Sequence, residues 1–272
     1  MVDSHLIERA LKSGKNSTMR LAKKPNGTAV VFIHGFSGNA LATWSNFPEM
    51  FTDYREFSGC DIYFYGYDSI YTQTSNSATR FYEFLSELNT APNKLITFQI
   101  PKSIERPLDF NYSKILIVAH SMGAIILRLA LMYAYEEKNT WLDKNHMILF
   151  APAHFGSKIP FLLKEAEGFF LPKIFKPLII YYKYRAVTLT DLEENSDLLT
   201  DLETKTKKLQ ESEAGEFTIA KDVRWASEER VVVNRKYLKD CMHKIIEGTH
   251  TEICKPKEEF KVPIEIIVSH LK

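Results

Sequence analysis

Residues 115–135 read ILIVAHSMGAIILRLALMYAY, and this stretch decides the fold. Its apolar beginning, residues 115–119, is typical of a strand that is buried on both faces. The apolar residues that follow Gly123 continue for long enough to indicate a helix. His120 and Ser121 lie between the two, so a hydroxyl group stands at the end of a predicted buried strand. The stretch therefore predicts a strand, a sharp turn and a helix.

The AHSMG segment, residues 119–123, fits the small-x-Ser-x-small pattern of a nucleophile elbow. In such a turn the serine has a strained backbone conformation, and its hydroxyl is exposed at the carboxyl end of the sheet. The first small residue of the pattern is usually Gly, and Ala119 is a variant of it. The alternative is that Ser121 only caps a core helix. The strand before it and the helix after it favour a nucleophile, which we assign to Ser121.

Outward from this stretch, strand-like and helix-like segments alternate from about residue 29 to 150. The segments VVFIH, CDIYFYGY, KILIVA and HMILFAPA read as strands, and helix-like segments follow them. This alternation predicts a parallel sheet with helices on both faces. The strand pattern resumes in EFTIAKDVRWAS and HKIIEG, and the helix PIEIIVSHLK follows. The fold class is therefore α/β, with a mostly parallel central sheet.

Residues 157–215 interrupt the alternation with three prolines, mixed charge and the segment GFFLPKIFKPLIIYYKYR. We expect a helical cap or lid inserted into a single domain that spans residues 1–272. Aromatic and basic residues together suit a membrane surface or a lipid-like acyl group. The interpretation that we favour is that the apolar side chains pack on the sheet while the lysines reach solvent. Peripheral membrane contact through the cap is the alternative, and the expected partner is a small-molecule or lipid-like ester.

Composition limits the class of protein. With 45% hydrophobic and 12% aromatic residues in 272, the chain can build a sizeable core and is not disordered. A net charge of +1 gives no general attraction to nucleic acid. The three cysteines have no metal-binding spacing and read as reduced thiols. Without a secretory signal pattern or a long apolar run, we expect a cytoplasmic protein and no obligate protein partner.

A serine nucleophile needs a general base, and the expected chain order is Ser, acid, His. The histidines after Ser121 are His146, His154, His243, His250 and His270. His250 lies in the segment EGTHTEICKP, in a loop directly after a predicted strand. A loop at the carboxyl edge of the sheet is the position that a base requires, so we predict that His250 is the base.

The acid is expected after the preceding strand. The segment AKDVRWASEERVVV offers Asp222, Glu228 and Glu229, while Asp197 is a more distant rival. Such a carboxylate would fix the tautomer of the histidine and stabilise its protonated form.

The oxyanion of the reaction needs two backbone N–H donors. One is expected from Met122, directly after the nucleophile. The other is expected from Phe36 in the HGFSG segment, where Gly35 and Gly38 let the loop bend closely. The neighbouring His34 and His120 are expected to hold loops by hydrogen bonds rather than to transfer protons.

The chain resembles the α/β-hydrolases of the serine esterase and lipase type. The segments VVFIHGFSGN, VAHSMGAII, APAHFGS and GTHTEICKP are similar to those of a group that includes GPI-inositol deacylase-like lipases and "serine active site containing" proteins. The resemblance covers about residues 28–156 and 217–270. It implies a Ser–acid–His mechanism with no metal and no organic cofactor.

Many hydrolases of this fold carry a small-x-x-Asp-x-Val-Val segment after the strand that precedes the histidine loop. On this chain the Asp of that pattern falls on Glu229, which we assign as the acid, with Glu228 and Asp222 as alternatives. The expected activity is hydrolysis of carboxylic esters with hydrophobic acyl groups. The alternatives are an amidase or thioesterase with the same triad, or a non-catalytic binding module of this fold.

Overall fold

The computed structural model describes residues 7–10, 16–95, 106–170, 187–242 and 244–272, with only the backbone of 7–10 and 166–170. Within these residues a single sheet of eight strands has the order β1-β2-β4-β3-β5-β6-β7-β8. The strands are β1 (Ile7–Ala10), β2 (Thr18–Leu21), β3 (Thr28–Ile33), β4 (Asp61–Tyr65), β5 (Lys114–His120), β6 (Asn145–Phe150), β7 (Asp222–Ala226) and β8 (Lys244–Ile246).

The six strands from β3 to β8 run parallel, and β2 runs antiparallel to both β1 and β4. Each of the predicted strands is present, so the mostly parallel sheet is confirmed. The central strands β3 and β5 are buried on both faces, as their continuous apolar runs predict. The sequence analysis missed β1 and β2, because each has only four residues and no long apolar run.

Seven α-helices accompany the sheet within the described residues: α1 (Phe47–Met50), α2 (Thr74–Thr90), α3 (Met122–Glu136), α4 (Ile159–Phe170), α5 (Thr188–Asp191), α6 (Asp197–Glu211) and α7 (Val262–Ser269). Helix α3 is buried over most of its length, as its apolar sequence requires. Pro263 lies in the first turn of α7, a position that suits proline because the first N–H groups of a helix have no partner within it. None of the helices in the described part of the chain is long and apolar enough to cross a membrane.

The start of helix α2 is not capped by a nearby side chain. The helix begins at Thr74, and its N-cap, Gln73, makes no side-chain hydrogen bond. The N–H of Thr74 instead donates to the carboxylate of Asp191 at 3.2 Å. A residue distant in sequence therefore replaces the local cap, which sequence pattern alone does not reveal.

The segment between β6 and β7 contains α4, α5 and α6. Helix α5 is tied to the loop after β4, because the Thr188 hydroxyl donates to the Ser69 carbonyl at 2.9 Å. The aromatic and basic residues of the expected lid fall mostly within 171–186, which lie outside the described residues. The single domain with a cap over 157–215 stays a prediction.

Candidate active site

The turn between β5 and α3 holds Ser121 in a conformation that non-glycine residues rarely adopt. Its φ is 53° and its ψ is −122°, and such a conformation costs about 1–3 kcal/mol. Hydrogen bonds on both sides maintain it: the Ser121 N–H donates to the Phe150 carbonyl at 3.0 Å, and the Ser121 carbonyl accepts from Ala153 at 3.2 Å. The turn is thus fixed by the neighbouring strand β6 as well as by its own sequence.

Small residues around Ser121 are required by close contacts. A Cβ on Gly123 would lie 2.5 Å from the Ile33 carbonyl oxygen and 2.6 Å from that of His34. A Cβ on Gly35 would lie 2.8 Å from the Cβ of Ser121. The end of β3 therefore packs against the turn so closely that a larger side chain would displace one or the other.

Three side chains from distant parts of the chain form one row of hydrogen bonds. The Ser121 hydroxyl donates to Nε2 of His250 at 3.0 Å. On the other side of the ring, Nδ1 of His250 donates to Glu229 Oε2 at 3.0 Å and to Oε1 at 3.1 Å. The His250 and Glu229 side chains are only 3% and 5% exposed. The arrangement suits a histidine that accepts the serine proton while the carboxylate holds its tautomer.

The electrostatics of Glu229 favour its ionised form. Burial alone would raise the pKa of the Glu229 carboxyl, but the hydrogen bond and charge interaction with His250 oppose it. The N–H groups of Val231 and Val232 also donate to Oε1, at 2.9 and 3.1 Å. Together these contacts hold the pKa of Glu229 below its usual value. The carboxylate is therefore available to stabilise a protonated histidine.

The loops that carry Glu229 and His250 are tied to each other. The Ser227 N–H donates to the Ile246 carbonyl at 2.9 Å, and the Glu228 N–H donates to the Gly248 carbonyl at 3.1 Å. Gly248 has a φ of 123°, a backbone conformation that favours glycine. The two loops leave adjacent parallel strands, β7 and β8, at the same edge of the sheet. This pairing sets the distance between acid and base.

His34 and His120 hold loops by hydrogen bonds, as expected. Nε2 of His120 donates to the His250 carbonyl at 2.9 Å, which fixes the backbone of the base. Nδ1 of His34 donates to the Gly35 carbonyl at 2.8 Å, and its ring stacks on Tyr67. Burial lowers the pKa of His34 to about 4 and lowers that of His120 well below its usual value. Both rings are therefore neutral at pH 7.

The alternative acids lie away from this row. Glu228 is exposed to solvent, beside Glu229 but outside the cleft. Asp222 begins β7 at the opposite edge of the sheet, where its carboxylate accepts from Arg224 at 2.6 and 2.8 Å. Asp197 is exposed at the start of α6. Of the three, none contacts His250 in the described structure.

The alternative bases are likewise elsewhere. His146 lies near the start of β6, and His270 contacts Asp222 at the same edge of the sheet. His154 is buried against Tyr237, and its Nε2 donates to the Arg235 carbonyl at 3.2 Å. His243 lies outside the described residues. The structure thus brings only His250 among the described candidates to the Ser121 hydroxyl.

The two expected oxyanion donors, Met122 and Phe36, come from different parts of the chain. Met122 is the first residue of α3, where backbone N–H groups have no partner within the helix. Phe36 follows β3 and lines the same cleft as Ser121. Both assignments remain predictions, since they depend on where a substrate oxygen would lie.

The cleft over Ser121 has a volume of about 440 Å³ including its mouth. Sequence reasoning missed part of its lining: Leu162 and Glu165 from α4, Thr251 and Lys255 from the loop after His250, and Thr43. The proximity of Thr251 and Lys255 to His250 in sequence was a usable signal. No such signal in the sequence pointed to Glu165, because α4 reaches the cleft only through tertiary packing. Within the described residues, no group of three or more potential ligands could hold a metal ion.

Comparison with solved structures identifies the fold. The Bacillus licheniformis lipase BlEst2 in its mature form aligns with a TM-score of 0.55 and 12% identity, over 96% of this chain and 95% of that chain. The Pyrococcus furiosus esterase Pf2001 aligns with a TM-score of 0.56 and 8% identity, over 99% and 90%. An α/β hydrolase from Mar Chica lagoon sediments, MGS-MChE2, aligns with a TM-score of 0.53 and 15% identity, over 96% and 99%. The chain has the α/β-hydrolase fold.

Sequence comparison gives the family. None of the curated proteins compared with the chain matches it. A family model described as "Putative serine esterase (DUF676)" matches residues 24–212, which include β3, the nucleophile turn and the helices after β6. The match ends before β7, so it does not include Glu229 or His250. Because this match spans more than half of the chain, the chain belongs to this family, and membership of the family makes it a serine hydrolase.

Proposed function

We propose that the chain hydrolyses carboxylic esters, with Ser121 as nucleophile, His250 as general base and Glu229 as the acid that orients it. The single observation that carries the proposal is the continuous row of hydrogen bonds from the Ser121 hydroxyl to the Glu229 carboxylate. The family match supports the reaction class. The strained turn supports the nucleophile, because it presents the hydroxyl at the edge of the sheet where the cleft opens.

The first half of the reaction forms an acyl-enzyme. His250 Nε2 takes the proton of the Ser121 hydroxyl while Oγ bonds to the acyl carbon, and the carbonyl electrons move onto its oxygen. The backbone N–H groups of Phe36 and Met122 are proposed to donate to this oxygen. When the tetrahedral intermediate collapses, the bond to the alcohol breaks, and Nε2 returns the proton to the leaving oxygen.

The second half repeats the sequence with water. Nε2 takes a proton from water, whose oxygen attacks the acyl carbon, and the proton then returns to Ser121 as the acid product leaves. Throughout, the carboxylate of Glu229 stabilises the charge that develops on the ring. Its lowered pKa supports this role, since the group remains ionised at neutral pH.

The substrate preference, partners and location remain proposals. Leu162 and Phe36 give the cleft an apolar part that fits an acyl chain. The proposed preference for hydrophobic or lipid-like acyl groups also rests on the segment around residues 171–186, which lies outside the described residues. Contact of that segment with a membrane surface and a cytoplasmic location are predictions from sequence.

The proposal is tested with p-nitrophenyl esters from acetyl to palmitoyl. The wild-type protein is expected to hydrolyse at least part of the series, and its chain-length optimum reports the space available to the acyl group. The Ser121→Ala variant is expected to lose activity by about 10³-fold or more, since it removes the nucleophile. The variant also removes little volume from a turn that accepts small residues, so folding should persist.

A fluorophosphonate probe separates a silent enzyme from a binding module. Covalent labelling of wild-type protein at Ser121, absent in Ser121→Ala, would support the proposal even if p-nitrophenyl esters are not cleaved. If the folded wild-type protein neither hydrolyses the esters nor reacts with the probe, the proposed function is wrong.

A further inference from the structure

The peptide unit between Gly35 and Phe36 contains both the Gly35 carbonyl and the Phe36 N–H, which is the second expected oxyanion donor. Because a peptide unit is planar, whatever fixes the direction of the Gly35 carbonyl also fixes the direction of the Phe36 N–H. This carbonyl accepts from the Gly38 N–H at 3.1 Å and from Nδ1 of His34 at 2.8 Å. The expected oxyanion donor is therefore oriented through the carbonyl of its own peptide unit.

The ring of His34 can hold this carbonyl in only one tautomer. A carbonyl oxygen only accepts hydrogen bonds, so Nδ1 must carry a proton to donate to Gly35. On the other side of the ring, Nε2 accepts from the Tyr67 N–H at 3.3 Å, so Nε2 carries no proton. Burial lowers the pKa of His34 to about 4, and the neutral ring at pH 7 has one nitrogen of each kind. Tyr67 therefore selects the tautomer that holds the Gly35 carbonyl.

The side chain of Tyr67 holds His34 in two further ways. Its hydroxyl donates to the His34 carbonyl at 2.8 Å. Its ring stacks on the imidazole with the centroids 4.3 Å apart and an interplanar angle of 9°. Burial raises the pKa of the Tyr67 hydroxyl well above its usual value, so the hydroxyl keeps the proton that it donates. Tyr67 thus fixes both the backbone and the ring of His34.

The loop that carries Tyr67 is itself fixed on both sides. Before it, the Gly66 N–H donates to the hydroxyl oxygen of Ser17 at 2.8 Å. After it, the Ser69 carbonyl accepts from the hydroxyl of Thr188 at 2.9 Å. Tyr67 itself is only 7% exposed. Contacts that do not involve His34 therefore help to set the position of Tyr67.

Building on the proposed ester hydrolysis, we propose that Tyr67 is a positioning residue of the oxyanion hole, which acts through His34 to direct the Phe36 N–H toward the oxygen of the tetrahedral intermediate. The site then contains two oriented histidines. Glu229 orients His250, which takes the serine proton, and Tyr67 orients His34, which holds the peptide unit of the oxyanion donor. The structural alternative is that Tyr67 and His34 only pack the ends of β3 and β4 together.

Tyr67→Phe tests the proposal most directly, because it keeps the stacked ring and the backbone N–H and removes only the hydroxyl. For the p-nitrophenyl ester that the wild type cleaves best, kcat should fall about tenfold while KM stays within about twofold. The reason is that the Phe36 N–H is needed more in the transition state than in the bound substrate. Steady-state kinetics on the folded variant measure both constants.

Tyr63→Phe is the matched control. Tyr63 is also a buried tyrosine of β4, it does not line the cleft, and its hydroxyl lies 2.7 Å from that of Tyr112. The control also loses a buried hydrogen bond, yet its kcat should stay within about twofold of the wild type. If Tyr67→Phe has the same kcat as Tyr63→Phe, the proposal is wrong.

A trifluoromethyl ketone distinguishes a misdirected donor from a loosened fold. Such a ketone adds reversibly to a serine hydroxyl and gives a tetrahedral adduct with a negatively charged oxygen, so it imitates the transition state. Its inhibition constant should weaken in Tyr67→Phe by the same factor as kcat/KM and should not change in Tyr63→Phe. Urea unfolding of both variants measures their loss of stability. Unchanged inhibition of Tyr67→Phe, or equal weakening in both variants, would support the structural alternative.

Substitutions of His34 give a conservative and a disruptive variant. In His34→Asn the side-chain amide can place an N–H near the position of Nδ1, whereas His34→Leu has no donor. The kcat of His34→Leu should fall about 10²-fold, and His34→Asn should recover part of this loss. Equal losses in the two folded variants would contradict a role in holding the Gly35 carbonyl.

NMR of the imidazole nitrogens and of selectively labelled phenylalanine amides needs no turnover, and Ser121→Ala protein can serve in it. At pH 7 the His34 ring should have a protonated Nδ1 and an unprotonated Nε2. The Phe36 amide signal should move in Tyr67→Phe and stay in place in Tyr63→Phe. These results support orientation by Tyr67 even if no ester is cleaved, an outcome that counts against the proposed function instead. A protonated Nε2, or a Phe36 signal that does not respond to Tyr67→Phe, refutes it even if hydrolysis through Ser121 is intact.

Discussion

Strand β7 has a carboxylate–histidine pair near each of its ends, and only one of them is built like a catalytic site. Beyond its carboxyl end, Glu229 contacts His250 at 3.0 Å, and the other ring nitrogen contacts the Ser121 hydroxyl at 3.0 Å. At its amino end, Asp222 contacts His270 at 3.3 Å. The Asp222 carboxylate is shared with Arg224, and the His270 side chain is 26% exposed.

The difference shows that a histidine beside a carboxylate does not define a site by itself. In parallel sheets the loops beyond the carboxyl ends of the strands build the sites. At that edge the pair is buried, the carboxylate accepts two backbone N–H bonds, and a strained serine faces the ring. At the other edge an aspartate and a histidine form a partly exposed hydrogen-bonded pair. Variants of both pairs test this contrast.

Removing each histidine should give the largest difference. His250→Ala is expected to lower kcat/KM for a p-nitrophenyl ester by about 10⁴-fold or more, because the serine loses its base. His270→Ala is expected to leave kcat/KM within about twofold, since its ring lies at the far edge of the sheet. Steady-state kinetics on both folded variants decide the matter. A comparable loss in the two variants would contradict the contrast.

Removing the negative charge of each carboxylate should separate the candidates for the acid. Glu229→Gln keeps the size of the side chain but not its charge, and kcat should fall by about 10³- to 10⁴-fold with little change in KM. Glu228→Gln is the matched neighbour, and Asp222→Asn is the matched residue at the other end of β7. Both should retain activity within a few-fold. Full activity of Glu229→Gln would remove its assignment as the acid.

The sequence predicted those parts of the site that are local in the chain. The turn at Ser121 needs a strand, small residues and a helix within a few positions, and all of them are visible in one stretch. His250 could be assigned because chain order and the preceding strand limit the choice. The mostly parallel sheet also followed from long apolar runs, whereas the short antiparallel strands β1 and β2 carry too little pattern to be seen.

What the sequence could not show depends on contacts between distant residues. Asp222, Glu228 and Glu229 lie within one short segment of the chain. Asp222 begins β7 at the opposite edge of the sheet, and the loop after β7 brings Glu229, but not Glu228, to His250. Glu165 reaches the cleft because α4 packs beside the loop of His250, a contact between residues far apart in the chain. The start of α2 is likewise set by Asp191 rather than by a local cap.

The smallest expected effect concerns stability rather than activity, and it appears as a pH dependence of Asp222→Asn. Burial would raise the pKa of the Asp222 carboxyl, but hydrogen bonds and charge interactions with His270 and Arg224 outweigh it and lower the pKa. A carboxyl whose pKa is lower in the folded protein stabilises the fold above its unfolded pKa of about 4, and this contribution is lost as pH falls through the folded pKa. At pH 7 the variant should be less stable by about 1 kcal/mol, as is usual for a partly exposed pair.

Urea unfolding of wild-type protein and Asp222→Asn at pH 7 and at successively lower pH measures that difference. The gap between the two unfolding midpoints should narrow as the solution is acidified. Protonation of Asp222 removes from the wild type the same negative charge that the substitution removes from the variant. A gap that stays constant with pH would mean that the pair is held by packing and not by charge. In either case esterase activity at pH 7 should persist in the variant, because Asp222 lies at the opposite edge of the sheet from Ser121 and the proposed catalytic pair.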